Sequence, residues 1–111
     1  MRELSKIEEL FLLTILRLKG NAYGVTIRRH IVKRTGKEYT YGTIYSILEQ
    51  LLKKGYVVKN EGEPSSERGG RRKLMYDLTP VGVQALKNAY EMQQAVWGSV
   101  TGKTIDAENY E

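Results

Sequence analysis

Cysteine is absent from the 111 residues. That excludes a disulfide framework and any thiolate zinc centre. There is a single histidine, His30, so a transition-metal site lacks its second imidazole as well. His30 therefore reads as a surface residue or one satisfied by its neighbours. No apolar run approaches the roughly 20 residues that a membrane-crossing helix requires. The opening "MRELSKIEEL" lacks the uninterrupted apolar core of a signal peptide. The expectation is a soluble, cytoplasmic chain with no membrane partner. Catalytic equipment is also missing: there are no paired carboxylates in a plausible pocket, no Cys or His nucleophile system, and no phosphate-cradling loop between a strand and a helix. The glycines of "SSERGGRR" fall between two candidate strands instead. The chain is expected not to be an enzyme and to need no cofactor.

What is present is a modest apolar fraction, 41%, in a chain long enough for one domain of about 100–150 residues. The net charge of +5 is unevenly placed. Residues 1–79 hold sixteen Lys and Arg against nine Asp and Glu, a balance of +7, while residues 80–111 hold two against four, a balance of −2. A basic region set apart from an acidic tail suggests a polyanionic partner, with solubility alone as the plainer explanation.

The hydropathy pattern predicts the elements. Ser5 and Glu8 form an S-x-x-E capping box at a helix start. Ile7, Leu10, Phe11, Thr14 and Leu18 supply one stripe of that helix, and Leu13 and Leu16 widen it towards a second packing surface; Gly20 is placed to end it. A second helix runs from Ala22 or Tyr23 to Arg34, with Val25, Ile27, Ile31 and Val32 apolar, and breaks at Gly36. A third follows the N-cap candidate Thr40 and stops at Gly55, after the basic pair Lys53 and Lys54. Its apolar stripe is Ile44, Ile47, Leu48, Leu51 and Leu52. Then the period changes to two. "YVVKN" and "KLMYDL" read as strands, joined by the Gly-, Ser- and charge-rich "EGEPSSERGGRR". Thr79 caps a last helix that starts at Pro80 and reaches about Val96, with a tail expected to fray. Helix, helix, helix, strand, strand, helix is the plan of a mainly α (α+β) winged helix-turn-helix: residues 1–79 form the basic domain, and residues 80–111 a C-terminal helix.

Three stretches carry a more specific signal. "NAYGVTIRRHI", "TYGTIYSILEQLLKKGYV" and "GGRRKLMYDLTPVG" together resemble the PadR-like transcriptional regulators. That family shows a Tyr-Gly opening helix two, a Gly-Ser/Thr-Leu/Ile-Tyr opening helix three, and a wing ending in Gly-Arg-Arg before a Tyr and a Leu-Thr. The three occur in order between about Leu10 and Leu86. The family often has Pro after the helix-three Tyr, where this chain has Ser46. The resemblance implies a homodimeric DNA-binding repressor that answers to small molecules or stress.

The third helix carries the candidate reading face. Opposite its apolar stripe it opens with Gly42, Thr43, Tyr45 and Ser46, where a solvent face would ordinarily carry Lys and Glu. In a helix-turn-helix, the N-terminal residues of this helix meet base edges in the major groove. Gly42 permits close approach, Thr43 and Ser46 exchange hydrogen bonds with bases, Tyr45 reaches a phosphate, and Gln50 an adenine if the helix lies deep. The alternative is that Tyr45 packs against helix two and Gly42 marks only a tight crossing. Glu49 either accepts from a cytosine or is solvated. In the wing, Arg71, Arg72 and Lys73 are phosphate candidates beside Arg68, the first two chiefly through the resemblance. The resemblance implies that Tyr23 supports the reading helix or meets the DNA backbone, with a core tyrosine beside a tight turn as the alternative, and Arg28 and Arg29 are phosphate contacts or a solvated face. In the last helix Leu86, Ala89, Tyr90, Gln93, Val96, Trp97 and Val100 recur at three- and four-residue spacing. They predict a two-fold homodimer interface, with packing onto helix one as the alternative. A dimer would read a near-palindromic operator in double-stranded DNA. The resemblance adds a seat for a planar aromatic effector at Trp97, which otherwise reads as an interface anchor. The competing function is a winged-helix module that binds protein.

Overall fold

The computed structural model of the chain describes residues 3–64 and 72–108. Its elements are α1 (Lys6–Arg17), α2 (Gly24–Thr35), α3 (Tyr41–Lys53), β1 (Val57–Pro64), β2 (Arg72–Leu78), α4 (Pro80–Trp97) and α5 (Gly102–Glu108). Three helices enclose the core, β1 and β2 form an antiparallel hairpin on its edge, and α4 leaves the core lengthways. The architecture is a winged helix-turn-helix with a C-terminal helix.

The helix boundaries follow local chemistry. Glu8 N–H donates to Ser5 Oγ while Ser5 N–H donates to the Glu8 carboxylate, so the capping box is complete. Thr40 Oγ1 accepts from Thr43 N–H at the start of α3. Thr79 Oγ1 accepts from Gly82 N–H at the start of α4, with Pro80 at the first helical position. α2 uses a less familiar device: Tyr23 is its N-cap, but Thr26 Oγ1 reaches back to accept from Tyr23 N–H and donates to the Asn21 carbonyl at 2.6 Å. Gly36, at φ 77°, closes α2 in the left-handed conformation.

The core is one cluster that draws on every layer: Phe11, Leu12 and Ile15 from α1, Ile27 and Ile31 from α2, Ile44, Leu48 and Leu51 from α3, and Tyr76 from the hairpin. Two expectations change here. In α1, Leu12 and Ile15 are buried, whereas Leu13 and Leu16 stay exposed, so the stripe does not widen in their direction within this chain. The first strand also runs past Asn60 to Pro64. Its register with β2 shifts between Glu61 and Pro64, where β1 carries one residue more than β2.

The C-terminal helix is joined to this core at its root. Thr79 Oγ1 donates to the Gly55 carbonyl at 2.6 Å, and Thr79 N–H donates to the Tyr56 carbonyl at 3.0 Å. Gly82 makes the junction possible, because a methyl group there would lie 2.1 Å from the Tyr56 carbonyl oxygen. Ala85 and Leu86 enter the shared core. Beyond them the 18-residue helix, about 27 Å long, presents exposed surface. After Gly98 the chain forms the short, exposed helix α5 where fraying was expected.

Candidate nucleic-acid interface

The predicted reading face lies on the outside of α3. Gly42, Thr43, Ser46 and Gln50 are all exposed. A methyl group built at Gly42 would touch nothing nearer than Thr40 Oγ1, at 4.0 Å. The fold therefore does not use Gly42 as a crossing point, and the missing side chain leaves the helix open only towards the outside. Thr40 Oγ1 donates to Thr43 Oγ1 at 3.0 Å, which leaves the Thr43 hydroxyl hydrogen free to turn outwards. Glu49 forms an ion pair with Lys59 of β1 at 3.4 Å, so its charge is drawn to the hairpin.

Tyr45 packs against α2, the alternative weighed for it. Its hydroxyl sits where a side chain at position 24 would be: a methyl group on Gly24 would lie 2.2 Å from it. The ring stacks on Tyr41, centroids 6.5 Å apart, yet 40% of the residue stays exposed. Packing on α2 thus positions it, and its outer edge remains available. Below it, Tyr76 is buried, and burial together with neighbouring Tyr45 and Glu49 raises its phenol above the ordinary value, which keeps it neutral.

Around this face the structure places cations. Lys73 Nζ lies 4.5 Å from the centroid of the Tyr23 ring, so the wing root and the N-cap of α2 are held together by a cation–π contact. Arg72 opens β2, but its side chain lies outside the described residues, as do Arg68 and Arg71 entirely. On α2, Arg28 Nε donates to the Tyr39 carbonyl at 2.9 Å, and its guanidinium lies 5.4 Å from the centroid of Tyr41. Sequence reasoning gave Arg28 no particular weight, because its partners lie eleven and thirteen residues away across the turn and no periodicity reveals them. His30 is pushed below its ordinary value by burial and by Arg34, Arg17 and Lys33. It is neutral near pH 7 and adds no charge to the surface.

On α4, Leu86 is taken up by the chain's own core, which corrects its place in the predicted interface set. Ala89 is half-buried, and Tyr90, Gln93, Val96 and Trp97 are exposed; Val100, predicted on the same helix, is exposed but lies past its end, because the helix stops at Trp97 and Gly98 turns the chain at φ 57°. Trp97 is 44% and Val96 76% exposed. A groove of about 480 Å³ runs between this face and the start of α1, with Leu4, Lys6, Met92 and Trp97 on its walls. α1 is tied to α3 by Lys54, which caps α3 and donates to the Glu8 carboxylate. Burial alone would raise the Glu8 carboxyl, but the hydrogen bonds from Lys54 and Ser5 outweigh it and hold it below the ordinary range.

A helix-turn-helix with an open, weakly charged second helix, flanked by cations and a hairpin wing, defines a winged-helix protein of the transcriptional-regulator class. Residues 12–88 match the model of the PadR-like family of transcriptional regulators. The chain belongs to that family. Solved structures agree in fold. A PadR-like transcriptional regulator from Bacillus cereus is 20% identical with a TM-score of 0.70, covering 95% of this chain and 93% of that one. A PadR family transcription regulator from Clostridium difficile is 24% identical with a TM-score of 0.63, covering 86% and 97%. RosR of H. salinarum is 25% identical with a TM-score of 0.63, covering 96% and 89%. No curated protein matches the sequence significantly. Among the described residues no helix is long and apolar enough to cross a membrane.

Proposed function

We propose that the protein is a homodimeric, sequence-specific DNA-binding repressor, released from its operator by a small molecule or stress signal. The observation that carries this reading is the outer face of α3. Gly42 has open space where nothing in the chain needs it, Thr43 and Ser46 offer hydroxyls, and nearby cations are held on aromatic rings, Lys73 on Tyr23 and Arg28 on Tyr41. Such a face suits a major groove, where a helix must approach closely and exchange hydrogen bonds with base edges. A solvated face would gain nothing from the glycine and would ordinarily carry charge.

Dimerisation is supported by the exposed apolar edge of α4. Tyr90, Val96 and Trp97 of α4, and Val100 just past its end, are exposed apolar side chains. A second copy of the helix would bury them around a two-fold axis. The rigid root at Thr79 and Gly82 would then set the separation of the two reading helices. An effector in the groove beside Trp97 would act by preferring one dimer shape. A differential affinity of about five- to thirtyfold, ~1–2 kcal/mol, lies within the usual coupling range. In the domain reading that follows, residues 1–79 read DNA and residues 80–111 hold the partner.

Hydroxyl-radical footprinting on the region upstream of the protein's own gene tests the dimeric operator reading. Two protected patches about 34 Å apart, roughly one helical turn, are expected. A single patch would contradict the two-fold reading.

A further inference from the structure

We infer that Arg28 is a pre-oriented clamp for one phosphate of the DNA backbone, seated in the groove between α2 and the start of α3. The inference rests on the DNA-binding reading and adds a residue and a contact that neither the reading face nor the wing supplies. The groove is about 410 Å³ and is lined by Val25, Arg28, Arg29, Val32, Lys33 and Tyr41. Its lining includes three cations and no carboxylate. Among the described residues no acidic side chain is paired with Arg28.

The guanidinium is held in place on two sides. Nε–H is spent on the Tyr39 carbonyl at 2.9 Å, and one face lies against the Tyr41 ring. Tyr41 is in turn stacked on Tyr45, whose hydroxyl is seated on Gly24. The four Nη hydrogens remain as a fork of the geometry that meets two phosphate oxygens at once. A side chain ordered in advance loses less freedom on binding than a mobile lysine would. The location fits, because in a helix-turn-helix the first helix of the motif crosses the backbone while the second reads the groove. Tyr41 is the first residue of α3 and Tyr39 precedes its N-cap. Arg28 therefore ties the phosphate register to the start of the reading helix.

Two substitutions separate charge from positioning. In Arg28→Gln, the amide nitrogen takes the place of Nε and keeps a donor for the Tyr39 carbonyl, while the charge is lost. Arg28→Lys keeps the charge and loses that donor. The readout is the dependence of operator affinity on salt, by fluorescence anisotropy between 50 and 200 mM, after circular dichroism has shown each variant folded. Arg28→Gln is expected to lower the slope of log K against log salt by about 0.9, so that its deficit shrinks about 3.5-fold across that range. Arg28→Lys is expected to keep most of the slope. An unchanged slope in Arg28→Gln would overturn the clamp and leave Arg28 as a support for the turn. So would an Arg28→Lys slope as low as that of Arg28→Gln, since the slope would then follow the turn and not the charge. A wild-type chain that does not distinguish operator from scrambled duplex would instead reject the DNA-binding reading on which the inference stands.

Discussion

Gly42 offers a test in which stability and function should move in opposite directions. It lies in the first turn of α3, exposed, with ordinary helical backbone and nothing within 4 Å of a new methyl group except Thr40 Oγ1 at 4.0 Å. Replacing it with alanine reduces the freedom of the unfolded chain and introduces no clash, so Gly42→Ala should stabilise the fold by about 0.5–1 kcal/mol. For a domain of this size that raises the melting temperature by about 2–5 °C. The same methyl stands on the surface assigned to the base edges. If α3 lies against them through its backbone, operator affinity should fall about tenfold or more, the order of one good base contact at ~1–3 kcal/mol. The assays are thermal unfolding at fixed protomer concentration, because dimerisation shifts the midpoint, and anisotropy with operator duplex. A destabilised variant would refute the open geometry. A stabilised variant with wild-type affinity would refute close backbone approach.

The other predictions concern the supports of this face. Gly82→Ala places a methyl group against the Tyr56 carbonyl, which is backbone and yields little. The overpacking should outweigh the gain in helix propensity and cost a net ~1–2 kcal/mol in a urea melt, whereas a stabilised variant would mean that α4 is not locked to the α3–β1 turn. Glu8→Gln should cost about 1–2 kcal/mol at pH 7. Because the folded-state carboxyl is held below its ordinary value, the wild-type advantage is complete above about pH 5 and lost as pH falls through the folded value; a difference that does not vary between pH 7 and 3 would remove the ion pair as its source. Trp97→Arg should give monomers in sedimentation velocity, and a surviving dimer would place the interface elsewhere.

Most of the architecture was legible because it rests on local chemistry. Capping boxes, a proline at a helix start and the change from helical to alternating period are all written in short windows, so α1, α2, α3 and α4 fell close to their predicted bounds. The errors came where tertiary packing chooses between two chemically equal answers. Leu12 and Leu13 are the same residue one position apart, and only the direction of the α2 and α3 contacts buries one and exposes the other. Leu86 fits either the core or an interface by spacing, and the close approach at Gly82 decides for the core. The exposed, weakly charged outer face of α3 was legible as an absence of Lys and Glu opposite the apolar stripe. Its supports were not, since the contacts of Tyr45 with Gly24 and of Arg28 with Tyr39 join residues far apart in sequence through a turn whose shape no pattern encodes.

Base reading by α3 in duplex DNA is open to one decisive assay, a fluorescence anisotropy titration at two salt concentrations. The probe is duplex from immediately upstream of the protein's own gene, set against a scrambled duplex of equal length. Tight binding to the first is expected, with weaker, more salt-dependent binding to the second. Equal weak binding to both would contradict base reading, leaving a generic basic surface and a winged helix whose partner is a protein.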